Sequence, residues 1–349
     1  MKKLNNIQAM RGFAVLAVVF FHLIIIERKY GGGNTLLPGL LEFGMFGVDL
    51  FFVISGFVMV TVTRGKFRVV KEALLFLYHR ASRIYPLYWL YTFAALAVFL
   101  IQPAWVNSSQ GNRVDILSSF LLLPSNLLPL VQVGWTLIHE MYFYLVFFLI
   151  MLLVPERFLV LAIAIWGGVL LALGSWAGQG NPTLNLVLHP LTFEFLAGCL
   201  LAMLFHHTER SPFDSGWLMM IASAALIAAL VGYASFRAQT GLVSPDGWLR
   251  VGMYGIPAII IVYCLTNAER SGFTFHAAFI ETGNASYSIY LSHLFTLNVV
   301  GRIWAFFATD GFMDNIIGIL IALIAAIAVG FMSYRLLEIP LLKLSRKVM

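Results

Sequence analysis

Charge is what this chain has least of. Only 11% of its 349 residues are Asp, Glu, Lys or Arg, against about a quarter in an ordinary soluble domain. A surface that poor in charge cannot be solvated all round, which excludes a water-soluble globular class. Cysteine is nearly absent as well. The two present, Cys199 and Cys264, both fall in apolar runs, which excludes a disulfide framework and leaves no thiol signature of the redox compartment. No long basic tract interleaved with aromatics occurs, so the net charge of +6 does not point to nucleic acid. Internal repeats, low-complexity tracts and a metal-ligand pattern are missing too, and neither a metal nor a permanently bound cofactor is expected. Lys2 and Lys3 precede an apolar stretch as in a signal peptide. However, Arg11 and His22 interrupt or border that stretch and no small-x-small cleavage site follows, so it reads as an uncleaved first helix.

What the chain has in excess is apolar length. Hydrophobic residues make up 60% of it and the mean hydropathy is +0.89. Runs near 20 residues recur from end to end, each enough to cross about 30 Å of hydrocarbon as a helix. Ten are expected: roughly 9–27, 43–63, 84–101, 135–154, 157–175, 188–205, 216–235, 251–267, 285–306 and 314–336. A β-barrel would show shorter alternating segments instead. The fold class is therefore all-α and polytopic, read as a single membrane-embedded domain over residues 1–349 with no soluble domain at either end. Ten crossings put both termini on one side. With the termini inside, sixteen of the 22 Lys and Arg residues fall on the cytoplasmic side, among them Lys2, Lys3, Arg64, Lys66, Arg210 and Lys347. The outer side keeps Arg28, Lys29, Arg113, Arg237, Arg250 and Arg302. That bias predicts cytoplasmic termini and assigns much of the net charge to orientation and anionic-lipid contact.

Two loops stand out. Residues 64–83, on the cytoplasmic side, carry six basic residues and one acidic residue, Glu72. Residues 102–134 face outward and hold Pro103, Pro124, Pro129 and several Asn and Ser residues. The apolar centre of that loop, Ile116 to Leu123, is too short to span, which suits a re-entrant or interfacial segment. Outward loops of that length are uncommon unless functional, and this one could cover a site opening to the outer face.

Arg11 and His22 are the most informative pair. Eleven helical steps of about 100° come to roughly three turns, so the two share a face about 16 Å apart along the axis. An ionisable residue inside a bilayer is costly and is a functional candidate by default. An imidazole, with an unperturbed pKa near 6.5, can take a proton from a hydroxyl; the alternative is a histidine that merely bonds a neighbouring backbone. Arg80 and Arg83, three residues apart at the cytoplasmic mouth of the third span, suit bidentate phosphate binding, or equally topology and lipid contact. Glu140, one to two turns into the fourth span, needs a partner. It could orient the His22 imidazole, or pair with an arginine or a tyrosine hydroxyl for structure alone.

Two further strings are chemically loaded. In 44–57 the glycines allow close helix approach, while Asp49 and Ser55 add polar groups of open role. In 283–293, Ser286, Tyr290 and His293 lie on one helical face and could line a cavity or bond neighbouring helices. Arg335 and Glu338, three apart, are expected to form a local ion pair.

Taken together these strings resemble the membrane-bound acyltransferase-3 family, which O-acylates bacterial glycans and some other extracytoplasmic acceptors. The resemblance rests on Arg11 and His22 with ten residues between them, Phe51-Phe52-x-x-Ser55-Gly56, Arg80-x-x-Arg83, the Trp135 to Glu140 segment, and the Ser-Tyr-x-x-Tyr-x-x-His run ending at His293. It covers nearly the whole chain in order. The family's phenylalanine three residues before Phe51 is Val48 here, a departure that affects packing. The resemblance implies a ten-helix core moving an acyl group, usually acetyl, from cytoplasmic acyl-CoA to a hydroxyl of a glycan or its lipid-linked precursor, in a bacterial cytoplasmic membrane. His22 is then the catalytic histidine, with Arg80 and Arg83 at the phosphates of the donor, Arg11 in the same motif, and Asp49, Ser55, Tyr290 and His293 as pocket candidates. His22 could act as general base or carry the acyl group itself. Sequence physics alone also admits a transporter or flippase, although the internal symmetry common in transporters is missing, or a non-catalytic scaffold.

Overall fold

The computed structural model describes residues 4–347 apart from residues 34, 177, 179, 209, 210, 212 and 310. Lys2, Lys3 and Arg210, which enter the charge count above, lie outside the described residues. In chain order the α-helices are α1 Asn5–Tyr30, α2 Phe46–Thr63, α3 Val70–Ile101, α4 Ile116–Leu121, α5 Gly134–Leu153, α6 Leu159–Leu173, α7 Pro182–Val187 and α8 Thr192–His207. They continue as α9 Ser215–Thr240, α10 Gly247–Arg250, α11 Ile256–Arg270, α12 Ala277–Asn284, α13 Ser286–Trp304, α14 Phe312–Ser333 and α15 Ile339–Arg346. No strand occurs among the described residues. The protein is all-α and polytopic.

Nine helical stretches among the described residues are long and apolar enough to cross a membrane, one fewer than the ten runs expected. The difference is α13. It forms, and its 19 residues are long enough, but it is too polar to qualify. Its Ser286, Ser288, Ser292 and His293 are fully buried, and α13 packs against α1 and α14. A helix enclosed by protein satisfies its polar groups there and does not need an apolar surface.

A second difference concerns the third span. Helix α3 begins at Val70, fourteen residues before the apolar run expected at 84, so the cytoplasmic loop shrinks to a short turn. At about 1.5 Å per residue its 32 residues exceed the hydrocarbon thickness. Arg80 and Arg83 therefore lie well within a helix rather than at its start. Pro86 sits inside α3, leaving the Ser82 carbonyl without its usual intrahelical donor.

The chain divides into two compact units. The first comprises residues 1–54 and 204–338, the second residues 55–203 and 339–349. In the first unit α1 is the central element, packed on α11, α12, α13 and α14. Its amino end is closed in trans: the Glu269 carboxylate accepts the backbone N–H groups of Asn5 and Asn6 at 2.9 and 2.7 Å, which satisfies two orphan donors and opposes the positive end of the helix dipole. Small residues set the helix spacing. A Cβ on Gly47 would sit 2.3 Å from the Ala14 carbonyl oxygen, and one on Gly283 would sit 1.7 Å from that of Gln8.

In the second unit α3 and α5 run antiparallel. Phe76 packs against Phe147 and Tyr144, while Tyr88 reaches Gly134 at the other end of α5. The 102–134 segment is ordered by short helical turns. Its apolar centre forms α4, capped by Asp115, which accepts from the backbone N–H and hydroxyl of Ser118 at 3.0 and 2.7 Å. Those bonds hold the Asp115 carboxyl below the usual carboxylate range. The carboxyl end of α4 is pinned to α3: Tyr88, Trp89 and Tyr85 donate to the successive carbonyls of Ser119, Phe120 and Leu121 at 2.6, 2.9 and 3.0 Å. The expectation of a local Arg335–Glu338 pair meets a π-helical turn over Tyr334–Glu338, whose wider winding changes which residues share a face. The partner seen for buried Glu338 is the Ser288 hydroxyl, at 2.5 Å.

Candidate functional site

His22 lies two thirds of the way along α1, and α13 supplies what it meets. The Nδ1 atoms of His22 and His293 each face a backbone carbonyl four residues back: Val18 at 2.9 Å and Ile289 at 3.1 Å. A carbonyl oxygen only accepts, so each neutral ring carries its proton on Nδ1. The Nε2 of His293, left with a lone pair, lies 3.2 Å from Nδ1 of His22. The His22 N–H is therefore shared between the Val18 carbonyl and the His293 lone pair, and Nε2 of His22 keeps a lone pair of its own. A cation formed on His22 would be stabilised through that shared proton, as orienting partners stabilise imidazolium elsewhere. His293 is fully buried, whereas His22 keeps part of its surface accessible.

Two of the sequence strings converge on this pair. Tyr290 lies with its ring 5.9 Å from His293, and Phe51 packs edge-on against Tyr290 at 6.1 Å. Arg11, half-buried three turns from His22, bonds Gln8 at 3.3 Å. Asp49 is taken up by the fold: both its oxygens are held by Arg250, at 2.9 and 2.8 Å, in a fully buried bidentate pair. Nearby, buried Glu42 gathers Arg28, Arg237 and Tyr233. Arg28, Arg237 and Arg250 thus neutralise acids, an outcome that counting them as outer-side charges does not reveal.

In the second unit Glu140 accepts hydrogen bonds from the Ser55 hydroxyl at 3.2 Å and from the Tyr144 hydroxyl. Of the alternatives for Glu140, these contacts match the tyrosine hydroxyl; the imidazole that meets His22 is His293. Arg80 lies over the rings of Phe76 and Tyr144, at 5.5 and 5.7 Å, and its Nε is buried without a hydrogen bond among the described residues. Arg83 is partly exposed. Gly56, next to Ser55, explains the Ser-Gly pair structurally, because a Cβ there would lie 2.0 Å from the Phe195 carbonyl oxygen. Tyr144 is not among the residues the sequence motifs mark, although its place four residues after Glu140 is the signal that finds it. The His22–His293 contact, 271 residues apart, has no local signature.

These features define a polytopic helical membrane protein whose first unit holds a backbone-oriented imidazole pair and whose second holds Arg80 on the Tyr144 ring and Glu140 on the Tyr144 hydroxyl. The family described as an acyltransferase domain, Acyl_transf_3, matches residues 4–335, and the chain belongs to that acyltransferase-3 family. It is 28% identical to the exopolysaccharide production protein ExoZ of Rhizobium meliloti over 87% of this chain and 91% of that protein. It is 25% identical to the acyltransferase MdmB of Streptomyces mycarofaciens over 86% of this chain and 81% of that one. No solved structure matches the chain. The protein is accordingly an integral membrane acyltransferase.

Proposed function

We propose that this enzyme moves an acyl group, acetyl in the first instance, from acyl-CoA on the cytoplasmic side to a hydroxyl of a cell-surface glycan or its lipid-linked precursor, in a bacterial cytoplasmic membrane. The observation that carries the reading is the orientation of His22. Its Nδ1 proton is committed to Val18 and His293, which leaves the Nε2 lone pair to act as the base. In the proposed step the acceptor hydroxyl gives its proton to Nε2 as its oxygen attacks the thioester carbonyl. The new C–O bond forms, the C–S bond breaks, and the proton passes from Nε2 to the departing CoA sulfur. Balance requires no resident cofactor, and acyl-CoA is a co-substrate.

Arg80 and Arg83 are assigned to the phosphates of the donor. The buried, unclaimed Nε of Arg80 supports this, since guanidinium groups bind phosphate by paired N–H donors. The glycan acceptor is supported by the family resemblance and by the name of the Rhizobium relative. The orientation with both termini inside takes α13 as a crossing in addition to the nine apolar ones and follows the basic-residue bias.

His22→Ala is expected to abolish acyl transfer from acetyl-CoA while leaving the amount of membrane-inserted protein unchanged. The measurement is O-acetyl content of the surface glycan, by mass of its repeat, in cells carrying either form. Near-normal acetylation with the variant overturns the assignment.

A further inference from the structure

The second unit holds a cavity that the acyl-transfer reading leaves unused. It is a partly open cleft lined by residues of the 102–134 segment, the first turns of α5, and α7 with the turn after it, with a volume of about 200 Å³. Among the described residues no Asp, Glu, Lys or Arg lines it, so it is unsuited to the phosphates of CoA or to an acidic ligand, whose buried charge would go uncompensated.

Two of its amides present donors, whereas a third, Asn126, spends its NH₂ on the Gly180 carbonyl at 3.5 Å and presents its oxygen. The Oδ1 of Asn185 accepts the Gly178 N–H at 2.6 Å, and the Oε1 of Gln110 accepts the Leu128 N–H at 2.7 Å. Each amide thereby has its oxygen committed and its NH₂ left as the group it can offer a ligand. The Nδ1 of His189 accepts the Leu191 N–H at 3.2 Å, which fixes the orientation of that ring in the wall. Aromatic surface completes the wall. Trp135 and His139 stand one turn apart on α5 with rings 5.9 Å apart, and His139 meets His189 edge-on at 4.8 Å. An uncharged cavity offering N–H donors beside aromatic rings fits a neutral polyhydroxylated ring, whose oxygens accept and whose C–H face stacks on an aromatic surface. Donors already fixed by backbone bonds cost little ordering on binding.

We infer that this cavity is an acceptor subsite that holds a neutral sugar residue of the glycan. The inference rests on the glycan O-acyltransferase reading above and adds the charge class and the place of the sugar. Asn185→Asp and Gln110→Glu test it with little disturbance of the fold, because each keeps the oxygen that accepts the backbone N–H and removes the NH₂ donors. Trp135→Leu removes the stacking surface independently. The full chain, purified in detergent, is titrated with neutral oligosaccharides and with uronic-acid oligosaccharides of matched length. Wild type is expected to bind neutral members in preference. Each variant should weaken that binding by about tenfold or more, the effect of losing one well-placed hydrogen bond. Preference for the acidic members, absence of neutral binding, or unchanged affinity in the variants overturns the inference.

Acetyl transfer to the same oligosaccharides separates the two readings. Neutral binding that the variants lose, with no transfer by wild type, keeps the subsite and removes the transferase reading. Transfer by wild type with an unchanged acceptor KM in Asn185→Asp removes the subsite alone. Running the transfer with soluble oligosaccharide and with the same glycan on its lipid carrier tells which form supplies the sugar, and loss of transfer in Asn185→Asp with either form supports the subsite.

Discussion

An imidazole acts through the atom it presents, and in His22 that atom is selected by two acceptors on the opposite nitrogen. Val18 belongs to the same helix and would hold the ring in any context. His293 belongs to another helix and adds a lone pair where positive charge would be delocalised. His293→Leu should therefore lower kcat, by no more than the roughly 10²–10⁴-fold that general-base catalysis itself contributes, while leaving the KM for acetyl-CoA near its wild-type value. Steady-state kinetics checks this, and a rise in KM with unchanged kcat contradicts an orienting role. His293→Gln, which can return an acceptor to the His22 proton, should recover part of the loss, and a purely structural role predicts no such recovery. Asp49 illustrates the opposite outcome. A carboxylate inside a predicted span invites a functional reading, but both its oxygens are held by Arg250, and breaking one side of such a pair strands a buried charge.

Short helices are marginal alone, and α4, with six residues, persists because of its ends. Asp115 and Ser118 close the first turn, and three ring donors on one face of α3 satisfy the last carbonyls. Tyr88 is the buried member of the three, so Tyr88→Phe leaves the Ser119 carbonyl short of its donor. A loss of about 1–3 kcal/mol is expected, read as a lower unfolding temperature of the detergent-purified protein; Tyr85→Phe, at a more exposed position, should cost less. If the two variants unfold alike, the pinning of α4 does not depend on the buried bond. Helix α13 makes the complementary point. Its serines and His293 are buried, so its polarity reflects contact with α1 and α14 rather than a failure to be a helix.

Over the whole chain, orientation is the property on which the donor and acceptor assignments depend. The basic residues of the 64–71 turn and the proline-rich 102–134 segment flank opposite ends of α3, whose 32 residues are more than a bilayer requires. Cytoplasmic termini put the first inside and the second outside. Single cysteines at the exposed positions Lys71→Cys and Ser108→Cys, in a background carrying Cys199→Ala and Cys264→Ala, check this with a membrane-impermeant maleimide. Intact cells should label the residue 108 variant, and labelling of the residue 71 variant should require disruption of the membrane. The reverse pattern inverts the orientation and with it the side from which acyl-CoA arrives.

Local information was enough for much of this. Apolar length alone specifies a helical membrane protein, since a chain in hydrocarbon must satisfy its backbone internally. Helical spacing alone places Arg11 with His22, Arg80 near Arg83, and Glu140 within reach of Tyr144. Pairings between distant segments were beyond it: His22 with His293, 271 residues apart, and Asp49 with Arg250, 201 apart. Periodicity says which face of a helix is unusual but not which helix lies against it. That choice is made by close-packing contacts such as Gly47 on Ala14 and Gly283 on Gln8, where the absence of a side chain lets two backbones meet. The same packing turned Asp49 from a candidate pocket residue into one half of an ion pair, and gave the lone polar His22 an imidazole partner that fixes which of its nitrogens carries the proton.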